Sequence, residues 1–288
     1  MATQSRDLPT KLDPALIAKT VTAALKEDVG SGDLTSGLIG RNTISKAIVR
    51  AREVCVLCGI PWFSEVFRQL DNARTIEWHY EDGDTISANS IVCSLKGSAR
   101  ALLTGERTAL NFLQLLSSTA TITQLYADAV KNSDAQILDT RKTIPGLRSA
   151  QKYAVICGGG KNHRQGLFDA ILIKENHIAA SGSINTAVAV GRQLNPNVML
   201  EVEVETFDEL RDALNSGVDR VLLDNFSLEK IKTAVLEKNA RAPHIELEAS
   251  GGIDLNEIHE IAKTGVNYIS IGALTKNVKA IDFSMRLL

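Results

Sequence analysis

The chain has 288 residues, a formal net charge of −2 and 44% hydrophobic residues. That is enough apolar material for one large α/β domain with an appendage, or for two domains. The acid–base balance argues against a generally basic nucleic-acid surface, and no stretch approaches the roughly 18 apolar residues of a membrane span. The opening MATQSRDLPTKLDP has no apolar signal core. The expectation is a soluble, cytoplasmic protein with no nucleic-acid or membrane partner.

The first predicted element is a helix from Asp13-Pro14, an N-cap followed by Pro at N1, to about Glu27. EDVGSGDLTS then reads as a polar turn. Residues 43–97 read as strands (ISKAIVRAREVCVL, TIEWHY, TISANSIVCSL), with a turn at Asp82-Gly83 and a short helix at PWFSEVFRQL. Cys55 and Cys58 form a CxxC inside the apolar run VCVLCG. With no second pair and no nearby His, they read as core cysteines, and four cysteines in all make no disulfide framework. Residues 99–131 read as a long helix rich in Leu and Ala.

From residue 136 the rhythm changes. The apolar runs AQILD, AILIK, VMLEVEV, DRVLLD, HIELEAS and NYISIG alternate with helical segments, several opening on caps: Thr206 with Glu209, Ser227, and Asp254 with Glu257. Repeated strand–helix units predict parallel strands with helical crossovers. No GxGxxG and no GxxxxGK[ST] is present. The expected fold is an irregular open α/β barrel (132–288) with an N-terminal α+β sandwich domain (1–131), the segment 275–288 packing back on the latter.

Charge concentrates where a barrel builds its sites. Residues 139–177 hold seven Lys/Arg against three Asp/Glu, so a cationic focus sits on an acidic remainder. That suits a small anion better than a long polyanion. The strands end in Asp139-Thr140-Arg141-Lys142, Lys174, Glu203, Asp224, Ser250 and Ile271-Gly272, which would share the carboxyl-end rim. Arg offers bidentate donors for carboxylate or phosphate and Lys a compact charge. Lys161, His163 and Arg164 follow a triple glycine and join the group. Lys174 has a second reading, as a Schiff-base amine. Glu201, Glu203 and Glu205 alternate with Val202 and Val204, so they share one strand face. Glu203 and Asp224 could bind Mg²⁺, accept from sugar hydroxyls, stabilise a developing cation or pair with the Lys/Arg group. Ser250-Gly251-Gly252 and Ile271-Gly272-Ala273 allow close backbone approach to a phosphate. These residues imply an anionic substrate at a barrel rim without naming a reaction.

Seven ordered stretches carry a resemblance: GERTALNFLQLLS (105–117), LDTRKTIPGLR (138–148), CGGGKNHR (157–164), LIKENHI (172–178), EVEVE (201–205), LLDN (222–225) and ISIGALTK (269–276). The chain resembles the quinolinate phosphoribosyltransferase family (carboxylating nicotinate-nucleotide pyrophosphorylases, type II phosphoribosyltransferases) over almost its whole length. The resemblance implies that quinolinate and phosphoribosyl pyrophosphate, with Mg²⁺, give nicotinate mononucleotide, pyrophosphate and carbon dioxide in NAD biosynthesis. It implies a homodimer in which Arg107 enters the partner's site. Arg141, His163, Arg164 and Lys174, with Thr140 beside them, would hold the quinolinate carboxylates. Lys142 would lie between the substrates as a catalytic residue, and Glu203 and Asp224 would meet ribose hydroxyls or metal. Ser250 to Gly252 and Ile271 to Ala273 would cradle the ribose phosphate. Arg148 fits the pattern without a role beyond a structural ion pair. The competing readings are a Schiff-base lyase using Lys174, a related transferase that takes a monocarboxylate and does not decarboxylate, and a non-catalytic anion-binding protein.

Overall fold

The computed structural model describes residues 12–72 and 74–288, and the chain divides into two compact units. Residues 1–11, which belong to the sequence-based first domain, lie outside the described part. Unit 1 combines the described residues up to Gln124 with Ile144–Gly159 and Thr275–Leu288; unit 2 holds Leu125–Thr143 and Gly160–Leu274.

Unit 1 begins with α1 (Pro14–Val29), whose first N–H groups are capped where the sequence places the cap: Asp13 Oδ1 accepts from Ala15 N at 2.9 Å. The strand stretch resolves into β1 (Ile44–Ala51), β2 (Cys55–Val56), β3 (Thr75–Trp78), β4 (Thr85–Ile86) and β5 (Ile91–Ser98), with α2 (Ile60–Leu70) between β2 and β3. The long helix is α3 (Ala99–Val130), 32 residues. α4 (Arg148–Cys157) follows β6 (Gln136–Leu138), and the chain ends in β12 (Phe283–Leu287). β12, β1, β5 and β3 form a four-stranded sheet with antiparallel pairing, β12 on β1 from Ala47↔Leu287 to Ala51↔Phe283. α2 buries Trp62, Phe63, Val66 and Phe67, spaced by three and four along one face. Removing such a side chain from water contributes roughly 1.5–3 kcal/mol. All four cysteines are buried and free, and burial pushes the Cys55 thiol up to about 12, which suits packing rather than metal or redox chemistry.

One half-buried carboxylate, Asp82, ties together parts of unit 1. Gly59, the N-cap of α2, has no side chain to cap with, and Asp82 takes over. Its Oδ1 accepts from Gly59 N (3.0 Å) and Ile60 N (3.2 Å), and its Oδ2 accepts the Tyr153 hydroxyl (2.9 Å).

Unit 2 is the alternating region: β6, β7 (Ile171–Ile173), α5 (Glu175–Ser181), α6 (Ile184–Leu194), β8 (Leu200–Val204), α7 (Phe207–Asn215), β9 (Arg220–Asp224), α8 (Leu228–Arg241), β10 (Glu246–Ser250), α9 (Ile258–Ala262), β11 (Tyr268–Ser270) and the first residues of α10 (Ala273–Lys276). All five strand pairings are parallel, in the order β6-β11-β10-β9-β8-β7. β6 and β7 are the edges, and Lys161 adds one parallel bridge to Leu138 at the β6 edge. This is the irregular open α/β barrel expected from the sequence, beside an α+β unit. Thr206 and Glu209 form the predicted capping box, and Ser227 caps α8. Asp254 differs: it accepts from Asn256 N and Glu257 N in a turn, and the five-residue α9 starts only at Ile258. Among the described residues no helix is long and apolar enough to cross a membrane.

Burial raises Asp82 from its ordinary 3.8 to about 6, against the hydrogen bonds that hold it down. The folded form therefore keeps a proton that the unfolded chain has lost. The stability this confers is complete below about pH 4 and disappears as pH rises through about 6. Asp82→Asn should thus gain stability relative to the parent between pH 4 and 7 in paired urea titrations. A difference constant with pH would show that Asp82 titrates normally.

Candidate active site

The strand rule places the site: inward side chains at the carboxyl ends of β6 to β11 face one cavity. Its volume is about 270 Å³, and Thr140, Arg141, Lys142, His163, Arg164, Lys174, Glu203, Asp224 and Ser250 line it, with Leu172, Leu222, Glu248 and Ser270. Nine residues named from the sequence therefore meet in one place. Gly251, Gly252, Ile271, Gly272 and Ala273 adjoin it along the chain. Lys161, counted with the cations, is exposed and outside the lining; its backbone instead pairs with β6, donating to Ile137 O (2.8 Å) and accepting from Asp139 N (3.2 Å). Arg107 lies exposed on α3 in unit 1, and Arg148 is the first residue of α4, also in unit 1.

The loop after β6 is folded by its own side chains. Thr140 Oγ1 accepts from Lys142 N (3.1 Å), and Thr143 N donates to Arg141 O (3.0 Å). This turn lets Arg141 and Lys142, which would point apart in an extended strand, line the same cavity. Lys142 also needs room: a Cβ at Gly272 would stand 3.1 Å from Lys142 Cδ. Gly251 is required more strongly, because its φ is +106° and a Cβ there would meet Asn225 Oδ1 at 2.3 Å.

The segment carrying His163 and Arg164 is pinned by a fully buried acid, Asp139, which the sequence placed at a strand end without a role of its own. Asp139 Oδ1 accepts from His163 N (2.8 Å), and Oδ2 accepts from Asn162 Nδ2 (2.6 Å). His163 Nδ1 accepts from Arg164 N at 2.7 Å. Its Nε2 stands 2.9 Å from Glu201 Oε2 and 3.5 Å from Glu248 Oε2. Both glutamates are wholly buried, and desolvation pushes them up, Glu201 to about 7 and Glu248 to about 8. Arg220, stacked over Tyr268 at 3.8 Å, answers them, with Nη1 3.3 Å from Glu248 Oε2. His163, Glu201 and Glu248 place three ligand-type atoms within 4.8 Å of one another. The Arg220 guanidinium already supplies counter-charge there.

The expected stripe of three glutamates grades from inside to outside: Glu201 is buried, Glu203 half-buried and Glu205 exposed. Glu203 bonds Lys174 in a close ion pair, so the salt-bridge reading holds for this pair. Asp224 accepts from Asn225 Nδ2 (2.7 Å). Glu205 is held above the ordinary carboxylate range by partial desolvation and then by Glu175 and Asp224, so acids crowd this side of the rim.

Cations line the same cavity. Arg164 is pushed below its ordinary value, first by burial and then by the Arg141 charge. Two guanidiniums lining one cavity form a site that a multivalent anion stabilises.

Fold and cavity together define an α/β-barrel enzyme whose site receives a compact polyanion next to a pair of carboxylates. Two family models cover most of the chain: "Quinolinate phosphoribosyl transferase, N-terminal domain" matches residues 33–117 and "Quinolinate phosphoribosyl transferase, C-terminal domain" residues 119–286. The chain belongs to the quinolinate phosphoribosyl transferase family. It is 42% identical over 260 residues to a probable carboxylating nicotinate-nucleotide pyrophosphorylase of Bacillus subtilis, covering 90% of this chain and 89% of that protein. It is 40% identical to the Mycobacterium leprae enzyme of that name, covering 93% and 96%. The solved nicotinate-nucleotide pyrophosphorylase of Francisella tularensis superposes with a TM-score of 0.93 at 46% identity, covering all of both chains.

Proposed function

We propose that this protein transfers the phosphoribosyl group of phosphoribosyl pyrophosphate to quinolinate, releasing pyrophosphate and carbon dioxide and leaving nicotinate mononucleotide. The observation that carries the reading is that Arg141, Lys142, Arg164 and Lys174 all line one small cavity. A pyridine dicarboxylate brings negative charge that suits this arrangement.

In the transfer the pyridine nitrogen bonds to the anomeric carbon as the carbon–oxygen bond to pyrophosphate breaks, and the sugar acquires oxocarbenium character. Glu203 and Asp224 stand where they would stabilise that charge or hold ribose hydroxyls. The ring carboxylate next to the alkylated nitrogen then leaves as carbon dioxide. Its bonding electrons stay on the ring carbon, stabilised by the pyridinium, until a solvent proton arrives. Lys142 lies between the two substrates. The protein acts by orientation and charge compensation, not as a covalent nucleophile. The ion pair of Lys174 with Glu203 supports this against the Schiff-base reading, since the amine is engaged by a carboxylate.

Ser250, Gly251 and Gly252 would hold the ribose phosphate from one side. On the other, Ile271 N already donates to Leu138 O (2.9 Å), so that role falls to Gly272 and Ala273. The hard oxygens of Glu203 and Asp224, in an acid-crowded part of the rim, fit Mg²⁺, bound in part through the pyrophosphate. The ion would neutralise the leaving group. The exposed position of Arg107 suits the homodimer in which it completes the partner's site. Four buried, free cysteines suit the reducing cytoplasm.

Incubating the protein with quinolinate, phosphoribosyl pyrophosphate and Mg²⁺ should yield nicotinate mononucleotide and carbon dioxide; folded protein that forms neither would refute the assignment. Arg107→Ala and Arg141→Ala, each inactive alone, should recover partial activity when mixed, because one of the two sites in the heterodimer is then intact. Proven subunit exchange without recovery would exclude a shared site.

A further inference from the structure

The cations around quinolinate repel one another, so something must stop Arg164 from swinging away from Arg141. Several groups of unit 2 bear on Arg164. Its Nη1 donates to Ala170 O (3.2 Å), the carboxylates of Glu201, Asp169 and Glu203 attract its charge, and its backbone N–H is held by His163 Nδ1 at 2.7 Å. The last contact couples Arg164 to the orientation of a neighbouring ring. If the imidazole turns, the Arg164 N–H loses its acceptor.

The ring has two further constraints. Asp139 holds the His163 backbone, and the buried carboxyls of Glu201 and Glu248 face Nε2 at 2.9 and 3.5 Å. Behind them, Arg220 bonds Glu248 and Glu246, whose Oε2 lies 3.0 Å from Nη2. A continuous polar column thus runs from the start of β9 to the substrate cavity. Because Nδ1 accepts a backbone N–H, the ring proton is assigned to Nε2, the nitrogen that the two carboxyls flank. Both nitrogens of His163 thus face protein groups, and the residue also lines the substrate cavity.

We propose that Glu248, with Glu201, is a positioning residue for the dicarboxylate end of the site: the two buried carboxyls fix the Nε2–H tautomer and plane of His163, and His163 in turn fixes Arg164. The effect reaches quinolinate and leaves the phosphoribosyl end, on Ser250 to Gly252 and Gly272, untouched.

The proposal rests on the substrate assignment above, so it is tested by two readouts, one of them independent of any substrate. Nitrogen-15 spectra of the ring, assigned by comparison with His163→Gln, should show wild-type His163 protonated at Nε2 with Nδ1 bare. A proton on Nδ1 would overturn the proposal whatever the substrate, and it requires no variant of Glu248. In kinetics, Glu248→Met, which fills the same space without a carboxyl, should raise KM for quinolinate roughly tenfold or more, the scale of a lost hydrogen bond to a charged group. KM for phosphoribosyl pyrophosphate should stay within about twofold, and Glu248→Gln should restore most of the loss because its amide oxygen still faces the ring. An unchanged quinolinate KM in Glu248→Met, or a parallel rise for both substrates, would overturn the proposal. Wild-type protein that does not turn over quinolinate would instead refute the substrate assignment and leave the spectroscopic result standing.

Discussion

Bringing the guanidiniums of exposed Arg141 and half-buried Arg164 into one small cavity is unfavourable, and much of unit 2 can be understood as the means of doing it. Arg141 comes from the turn after β6 and Arg164 from the segment before β7, the two edge strands of the open sheet. Asp139, wholly buried at the end of β6, bonds the backbone of His163 and the side chain of Asn162, so both cations are referred to one rigid point. An open sheet has no strand pairing to close this gap. The Lys161 bridge and the Asp139 carboxylate supply the closure instead.

The rest of the site follows from how that positive charge is answered before a substrate arrives. Lys174 is paired with Glu203, while Arg220 is paired with Glu246 and Glu248 below the cavity. Arg164 has its proton affinity lowered, first by desolvation and then by the Arg141 charge, while Glu201, Asp169 and Glu203 pull the other way. On the proposed function, substrate binding would add negative charge to a cationic lining that is already assembled, which is what preorganised electrostatic catalysis requires. A dicarboxylate would meet Arg141 and Arg164, and the departing pyrophosphate would meet Lys142 and the acids proposed to hold magnesium.

Much of this was readable in the sequence because parallel β/α units put every strand's carboxyl end on one rim. The strand-end residues from Thr140 to Ser250 needed no long-range information to be grouped. Caps that act locally were readable for the same reason, as Asp13, Thr206 and Ser227 show. What escaped depends on register and on partners distant in sequence. Glu248 falls at a strand end beside Ser250 in the sequence, but its meeting with His163, 85 positions away, depends on which way β10 faces in the sheet. Lys161 looked like its neighbours by charge, yet a backbone bridge turned its side chain outward. Asp254 carries a good cap residue, but the helix begins too late to use it.

The central claim is that the cavity is a preformed grip for two carboxylates on one small ring. Titration calorimetry of the unmodified protein with quinolinate and with nicotinate measures it directly. The account predicts that the dicarboxylate binds at least about tenfold tighter, with the advantage shrinking as salt rises, because the second carboxylate engages a paired-guanidinium site. Equal affinity for the two acids would contradict it.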